Sequence, residues 1–144
     1  MFLHQAIFRT LSTAQFHSHP NLPSGVLYTG KGFPDLATQE LLSMINNVND
    51  YRHNLTTPIP IFCLVDDDPY GVTIYGIYKF GGGEKSSVIE RERLALPELK
   101  YLGIKSGDFE GDDDDGIISL TQRDRRRIEL LLQKDWVQRE PDVL

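Results

Sequence analysis

The run IFCLVDDDPYG, residues 61–71, constrains this chain more than any other stretch. Ile61, Phe62, Cys63, Leu64 and Val65 form an unbroken apolar segment of strand length, and Pro69 and Gly71 stand just past its end. Such a segment reads as a strand covered on both faces, and therefore as part of a parallel sheet. Asp66, Asp67 and Asp68 then crowd the carboxyl edge of that sheet, where open α/β domains bind their ligands. Strand alternation sends Asp66 and Asp68 to one side and Asp67 to the other. Two carboxylates converging about 4 Å apart repel by ~4 kcal/mol at an effective dielectric of about 20, so such a pair demands a cation or a raised pKa. A hard divalent ion with oxygen ligands answers that demand.

The flanking segments extend the strand into an alternating pattern. Leu3, Ile7 and Leu11 lie at helical spacing, so the chain opens in a helix over residues 1–14. Val26 to Thr29 reads as a short strand and GKGFP as a turn. Asp35 is placed to cap a helix with an apolar face of Leu36, Ala37, Leu41, Ile45 and Val48. Pro69 suits a first helical turn, and the helix it opens runs to Gly81, Gly82 and Gly83. Strand, helix, strand, helix predicts an α/β fold, a parallel sheet with helices on both faces.

The second half gives weaker signals. Tyr101 to Ile104 is a candidate strand, and residues 105–119 read as an acidic surface loop. Its run Asp112 to Asp115 lacks the spaced ligands and terminal glutamate of a calcium loop, so it reads as solvated surface. Thr121 and Asp124 have the spacing of a near-capping box that starts a final helix, with Ile128, Leu131 and Leu132 on its buried side. Arg123, Arg126 and Arg127 share a face of that helix, as an exposed basic surface or as phosphate contacts.

Composition narrows the function classes. At 144 residues and 40% hydrophobic, the chain suits one domain, residues 1–144, with a real core. No stretch approaches the roughly 20 apolar residues that span a bilayer, and no secretory leader pattern opens the chain, so no membrane partner is expected. The single cysteine, Cys63, excludes an internal disulfide and reads as a small buried apolar group. A formal charge of −6 argues against a surface that grips nucleic acid throughout. Any such contact is local.

Five motifs in order carry a family resemblance. They are T-G-K-G-x-P-D-x-x-T at Thr29 to Thr38, with Gln39 in place of a final arginine, and L-V-D-x-D-P-x-G at Leu64 to Gly71. After these come Tyr78 and Lys79, then Leu94 to Pro97 leading to Tyr101, Leu102 and Gly103, then L-T-x-R-D at Leu120 to Asp124. The chain resembles the Toprim domain of the topoisomerase VI A subunit, shared with the related meiotic proteins that make DNA double-strand breaks, the last motif favouring the meiotic branch. The resemblance implies that Asp66 and Asp68 hold Mg2+ and that Lys31 in its glycine turn contacts phosphate. It implies a type IIB topoisomerase or DNA-cleaving transesterase acting on double-stranded DNA through a tyrosine in an upstream winged-helix domain. No tyrosine of this chain is therefore expected to be the nucleophile, Tyr70 included. A second copy, or a topoisomerase VI B-like subunit within an ATP-dependent holoenzyme, would be its partner, and the nucleus and chromosome its location.

The departures matter too. Ala6, Ile7 and Phe8 fit the end of the family's V-E-K-[DE]-A-x-F strand, which puts Leu3 where its metal-site glutamate stands. The expected domain is thus a Toprim core without a full first strand, shortened at both ends. A catalytically incompetent Toprim remnant serving dimerisation or partner binding is the alternative. A phosphoacceptor receiver domain is more distant, since it needs an acidic pair on its first strand.

Overall fold

A computed structural model of the chain describes residues 5–51, 59–82, 86–103 and 119–139, without the side chains of residues 5–6 and 47–51. Leu3, Ile104, the Asp112 to Asp115 run and all but the last residue of the expected 105–119 loop lie outside the described residues. The helices in chain order are α1 (Gln5–Thr13), α2 (Leu36–Tyr51), α3 (Pro69–Phe80), α4 (Val88–Leu94), α5 (Gln122–Leu132) and α6 (Asp135–Arg139), with a 3-10 turn at Phe16–Ser18. The strands are β1 (Phe62–Cys63) and β2 (Lys100–Tyr101), which pair in parallel with Phe62 opposite Lys100 and Cys63 opposite Tyr101. Between them the chain passes through α3 and α4, as the expected mixed α/β architecture with a small parallel sheet requires.

Local chemistry explains the helix starts. Asp35 Oδ1 accepts the Thr38 N–H at 2.7 Å at the head of α2, as expected of a cap. Asp68 caps α3 through the Gly71 N–H at 2.6 Å, and Pro69 fills the first turn, where its missing N–H costs nothing. Gly81 ends α3 with a left-handed φ of 74°, which favours glycine. The expected box at Thr121 and Asp124 is complete, each residue bonding the other's backbone. A second box, Ser87 with Glu90, opens α4.

The core forms where α3 lies against the sheet. Cys63, Tyr75, Tyr78 and Leu96 are fully buried, joined by Leu42, Val72, Leu99 and Leu131. Helix α3 packs on both α4 and α5, while α2 packs on α4. Burial pushes the Cys63 thiol up to about 12, in keeping with an inert apolar role.

Five expectations need correction. Only Phe62 and Cys63 of the 61–65 run join a ladder, and the second strand is Lys100–Tyr101 rather than residues 101–104. Residues 26–29 join no strand, and Val26 is 82% exposed, so nothing covers the apolar side chain that would anchor a strand there. Helix α5 is not the last, since the chain turns at Gln133 and Lys134 into α6. On α2, Leu36, Leu41 and Ile45 are exposed, whereas Thr38, Gln39, Leu42 and Ser43 are buried. Ser43 and Thr38 find partners there: Ser43 Oγ donates to the Arg93 carbonyl at 2.6 Å, and Thr38 Oγ1 shares a hydrogen bond with the Tyr28 hydroxyl at 3.3 Å. Gln39 instead donates through Nε2 to the Pro34 and Asp35 carbonyls, and its Oε1 has no partner among the described residues.

Candidate functional site

The acidic turn sits where β1 hands the chain to α3. Asp66, Asp67 and Asp68 are all exposed, while Pro69 and Gly71 behind them are buried. Gly71 is required by closeness: a Cβ built on it would run into the Asp66 carbonyl oxygen. The backbone at Asp66 is therefore seated directly on the first turn of α3. Gly71 thus touches the backbone of Asp66 and, through its N–H, holds Asp68 Oδ1.

Their joint field is felt at Tyr101. Burial pushes its phenol up to about 12, and the charges of Asp67, Cys63, Asp68 and Asp66 push in the same direction. Its hydroxyl is buried and has no hydrogen-bond partner among the described residues, and its ring meets Tyr75 edge-on with centroids 5.3 Å apart.

Among the described residues, no group of three or more His, Cys, Asp or Glu side chains is gathered closely enough to cage a metal ion. The donors offered are carboxylates on one exposed turn, with one oxygen of Asp68 engaged as a cap. That set fits Mg2+, which keeps several waters and takes one or two carboxylates together with substrate phosphates. It does not fit a closed, all-protein site.

Two arginines stand beside the acidic turn, and the glycine turn reaches it through Phe33. Lys31 is exposed in the glycine turn, at a left-handed φ of 55°, with its N–H donating to Thr29 Oγ1 at 3.2 Å. The same turn carries Phe33, whose ring meets Tyr70 edge-on at 6.4 Å. Arg123 and Arg126 are exposed on α5, but Arg127 is half-buried. Its guanidinium lies 4.3 Å from the Tyr70 ring and 5.8 Å from the Phe33 ring, and Arg123 stands 6.0 Å from Tyr70. Arg127 also donates to Thr73 Oγ1 at 3.3 Å, and that hydroxyl donates to the Pro69 carbonyl at 2.6 Å. Two of the three arginines are therefore tied to the aromatic pair over the acidic turn rather than forming a plain solvated face. All three arginines also line a cavity of about 550 Å³ between α3, α5 and α6.

Sequence reasoning missed Phe33, Thr73 and the role of Tyr70. Their meeting joins three distant segments, for which no local pattern exists. Tyr70 is a half-buried ring packed under the Arg127 guanidinium.

A strand ending in an acidic turn that caps the next helix, inside a small parallel sheet with helices, defines a Toprim-like α/β domain. The family model for the Toprim domain of the topoisomerase 6 A subunit/Spo11 group matches residues 4–143. The chain is 33% identical to mouse meiotic recombination protein SPO11 over 118 residues, covering 81% of this chain and 27% of that protein. It is 30% identical to rice (indica) meiotic recombination protein SPO11-1 over 138 residues, covering 94% of this chain and 33% of that protein. With the A subunit of the type 2 DNA topoisomerase 6 of Aeropyrum pernix it shares 30% identity over 143 residues, covering 92% of this chain and 33% of that protein. The chain belongs to the Toprim domain family of Spo11 and the topoisomerase 6 A subunit. It spans about a quarter to a third of the length of these curated relatives.

Proposed function

We propose that this chain is the magnesium-binding Toprim part of a protein that breaks both strands of DNA in recombination, with the attacking tyrosine supplied from outside these residues. The observation that carries the reading is the β1–α3 turn, where Gly71 seats the Asp66 backbone and fixes Asp68 as a cap in a chain of this family. Asp66 and Asp68 would hold Mg2+, which supplies charge neutralisation at a reacting phosphate and its leaving oxygen when bound. Lys31, in the turn that touches Tyr70 through Phe33, and Arg123 flank the turn and would contact phosphate oxygens. Arg127 holds Tyr70 in place. In this reading double-stranded DNA is the substrate, a second copy or a topoisomerase VI B-like subunit completes the assembly, and the chromosome in the nucleus is its place of work.

Magnesium titration followed by ¹H–¹⁵N NMR tests the reading. Shifts centred on Asp66 to Tyr70 at millimolar Mg2+, lost in Asp66→Ala, support it; an unchanged spectrum removes the metal from the proposal.

The alternative, a Toprim module without metal chemistry that docks or dimerises, is favoured by Leu3 standing at the resemblance's glutamate position. It predicts an intact fold and no magnesium response.

A further inference from the structure

The cavity beside α5 shares Arg123 and Arg127 with the acidic turn and adds Arg91, Arg126 and Lys134. It runs along α3 from Thr73 to Phe80 and along α5 from Arg123 to Leu131, so it follows about 10 Å of each helix as a trough. Its volume of about 550 Å³ lies within the roughly 300–1,000 Å³ of ligand-binding clefts. Arg91, Arg123, Arg126, Arg127 and Lys134 line it, and among the described residues no carboxylate does. In a chain of net charge −6 this is a local reversal of sign.

The remaining wall is apolar. Ile77, Phe80, Leu130 and Trp136 contribute to it, and Leu130 is 54% exposed and Phe80 37%. Trp136 packs closely over Gly76, where a Cβ would stand 2.5 Å from the indole, and its ring lies 5.1 Å from that of Phe80. The indole is thus engaged on α3 and does not offer an open platform for stacking bases.

We propose that this trough is a docking site for an acidic amphipathic helix of a partner protein. Leucine-type side chains on one face of such a helix would cover Leu130, Ile77 and Phe80, and its carboxylates would meet Arg126. Charge complementarity selects the occupant: a nucleic acid satisfies the cations but brings no aliphatic groups for the exposed leucine, whereas an acidic amphipathic helix satisfies both. The trough shares Arg123 and Arg127 with the surroundings of the acidic turn, so its test is placed at Arg126 and Leu130.

The test uses the full chain and a fluorescein-labelled synthetic peptide with leucines at helical i, i+3, i+4, i+7 spacing and glutamates elsewhere, read by anisotropy. A scrambled peptide of the same composition and a single-stranded oligothymidylate serve as comparisons. Saturable binding of the patterned peptide is expected, weakened about tenfold or more by Arg126→Glu and separately by Leu130→Asp, both at exposed positions whose folding an NMR spectrum verifies. Equal binding of the scrambled peptide, indifference to Leu130→Asp, full competition by the oligothymidylate or lack of saturable binding would each overturn the proposal. The magnesium response of wild-type protein at Asp66 to Tyr70 is read separately, so the two readings fail independently.

Discussion

The guanidinium of Arg127 lies 4.3 Å from the centre of the Tyr70 ring, tying α5 to the turn that carries the aspartates. The same group reaches Phe33 at 5.8 Å and, through Thr73, the Pro69 carbonyl that opens α3. One side chain therefore braces the glycine turn, the acidic turn and the last long helix against one another.

Arg127→Ala should destabilise the protein by about 1–2 kcal/mol, from a partly desolvated cation–π contact and one hydrogen bond. Arg127→Lys should recover only part of this, since an ammonium cannot both stack and bond as a planar guanidinium does. Urea unfolding of the two variants checks the order. Equal stability of Arg127→Ala and wild type would mean that the contact contributes nothing in solution.

Gly71→Ala attacks the acidic turn from beneath. The added methyl would meet the Asp66 carbonyl, a backbone atom that cannot rotate away, so a loss of about 1–3 kcal/mol is expected. Because Gly71 also supplies the N–H that holds Asp68, amide shifts should spread over residues 66–71 in the folded fraction. Denaturant melts and a ¹H–¹⁵N spectrum report both effects.

Asp68 has two separable roles, and the choice of substitution divides them. Asparagine caps a helix about as well as aspartate, whereas alanine costs about 1 kcal/mol. Asp68→Asn should therefore melt close to wild type, yet lose the magnesium-induced shifts, while Asp68→Ala should lose both. If Asp68→Asn keeps the full magnesium response, the aspartate serves as a cap alone.

What the sequence made legible follows interaction range. The caps at Asp35 and Thr121 are contacts between residues three apart, and the residue types disclose them. The Asp68 cap is as local, but there the metal-ligand reading of the aspartate hid it. The Ser87–Glu90 box was equally local and open to the same reading. The face of α2 was misjudged because its burial is decided by distant partners: Ser43 is buried by the Arg93 carbonyl and Thr38 by Tyr28, leaving Leu36, Leu41 and Ile45 outside. The acidic turn could be placed at a strand end from its neighbours, but the Phe33–Tyr70–Arg127 packing that supports it exists only once three segments meet.

Acid should loosen the helix starts before it touches the core. The Asp35 carboxyl is held below its usual value by hydrogen bonds from the Thr38 side chain and backbone, Glu90 by the backbone and side chain of Ser87, and Asp124 by the side chain and backbone of Thr121. Each folded-state pKa is depressed, so the stabilisation is present above the unfolded values of about 4 and is lost as pH falls through the lower folded values. The urea midpoint should accordingly change little between about pH 7 and 5 on account of these groups, then decline below about pH 4. Asp35→Asn keeps an N-cap acceptor but removes one titrating group, so its midpoint should match wild type near neutrality and fall less steeply in acid. Urea melts of both proteins across this range supply the measurement. Parallel curves for the two proteins would show that protonation of Asp35 does not govern the acid limb, and would leave Glu90 and Asp124 as the carboxylates to examine.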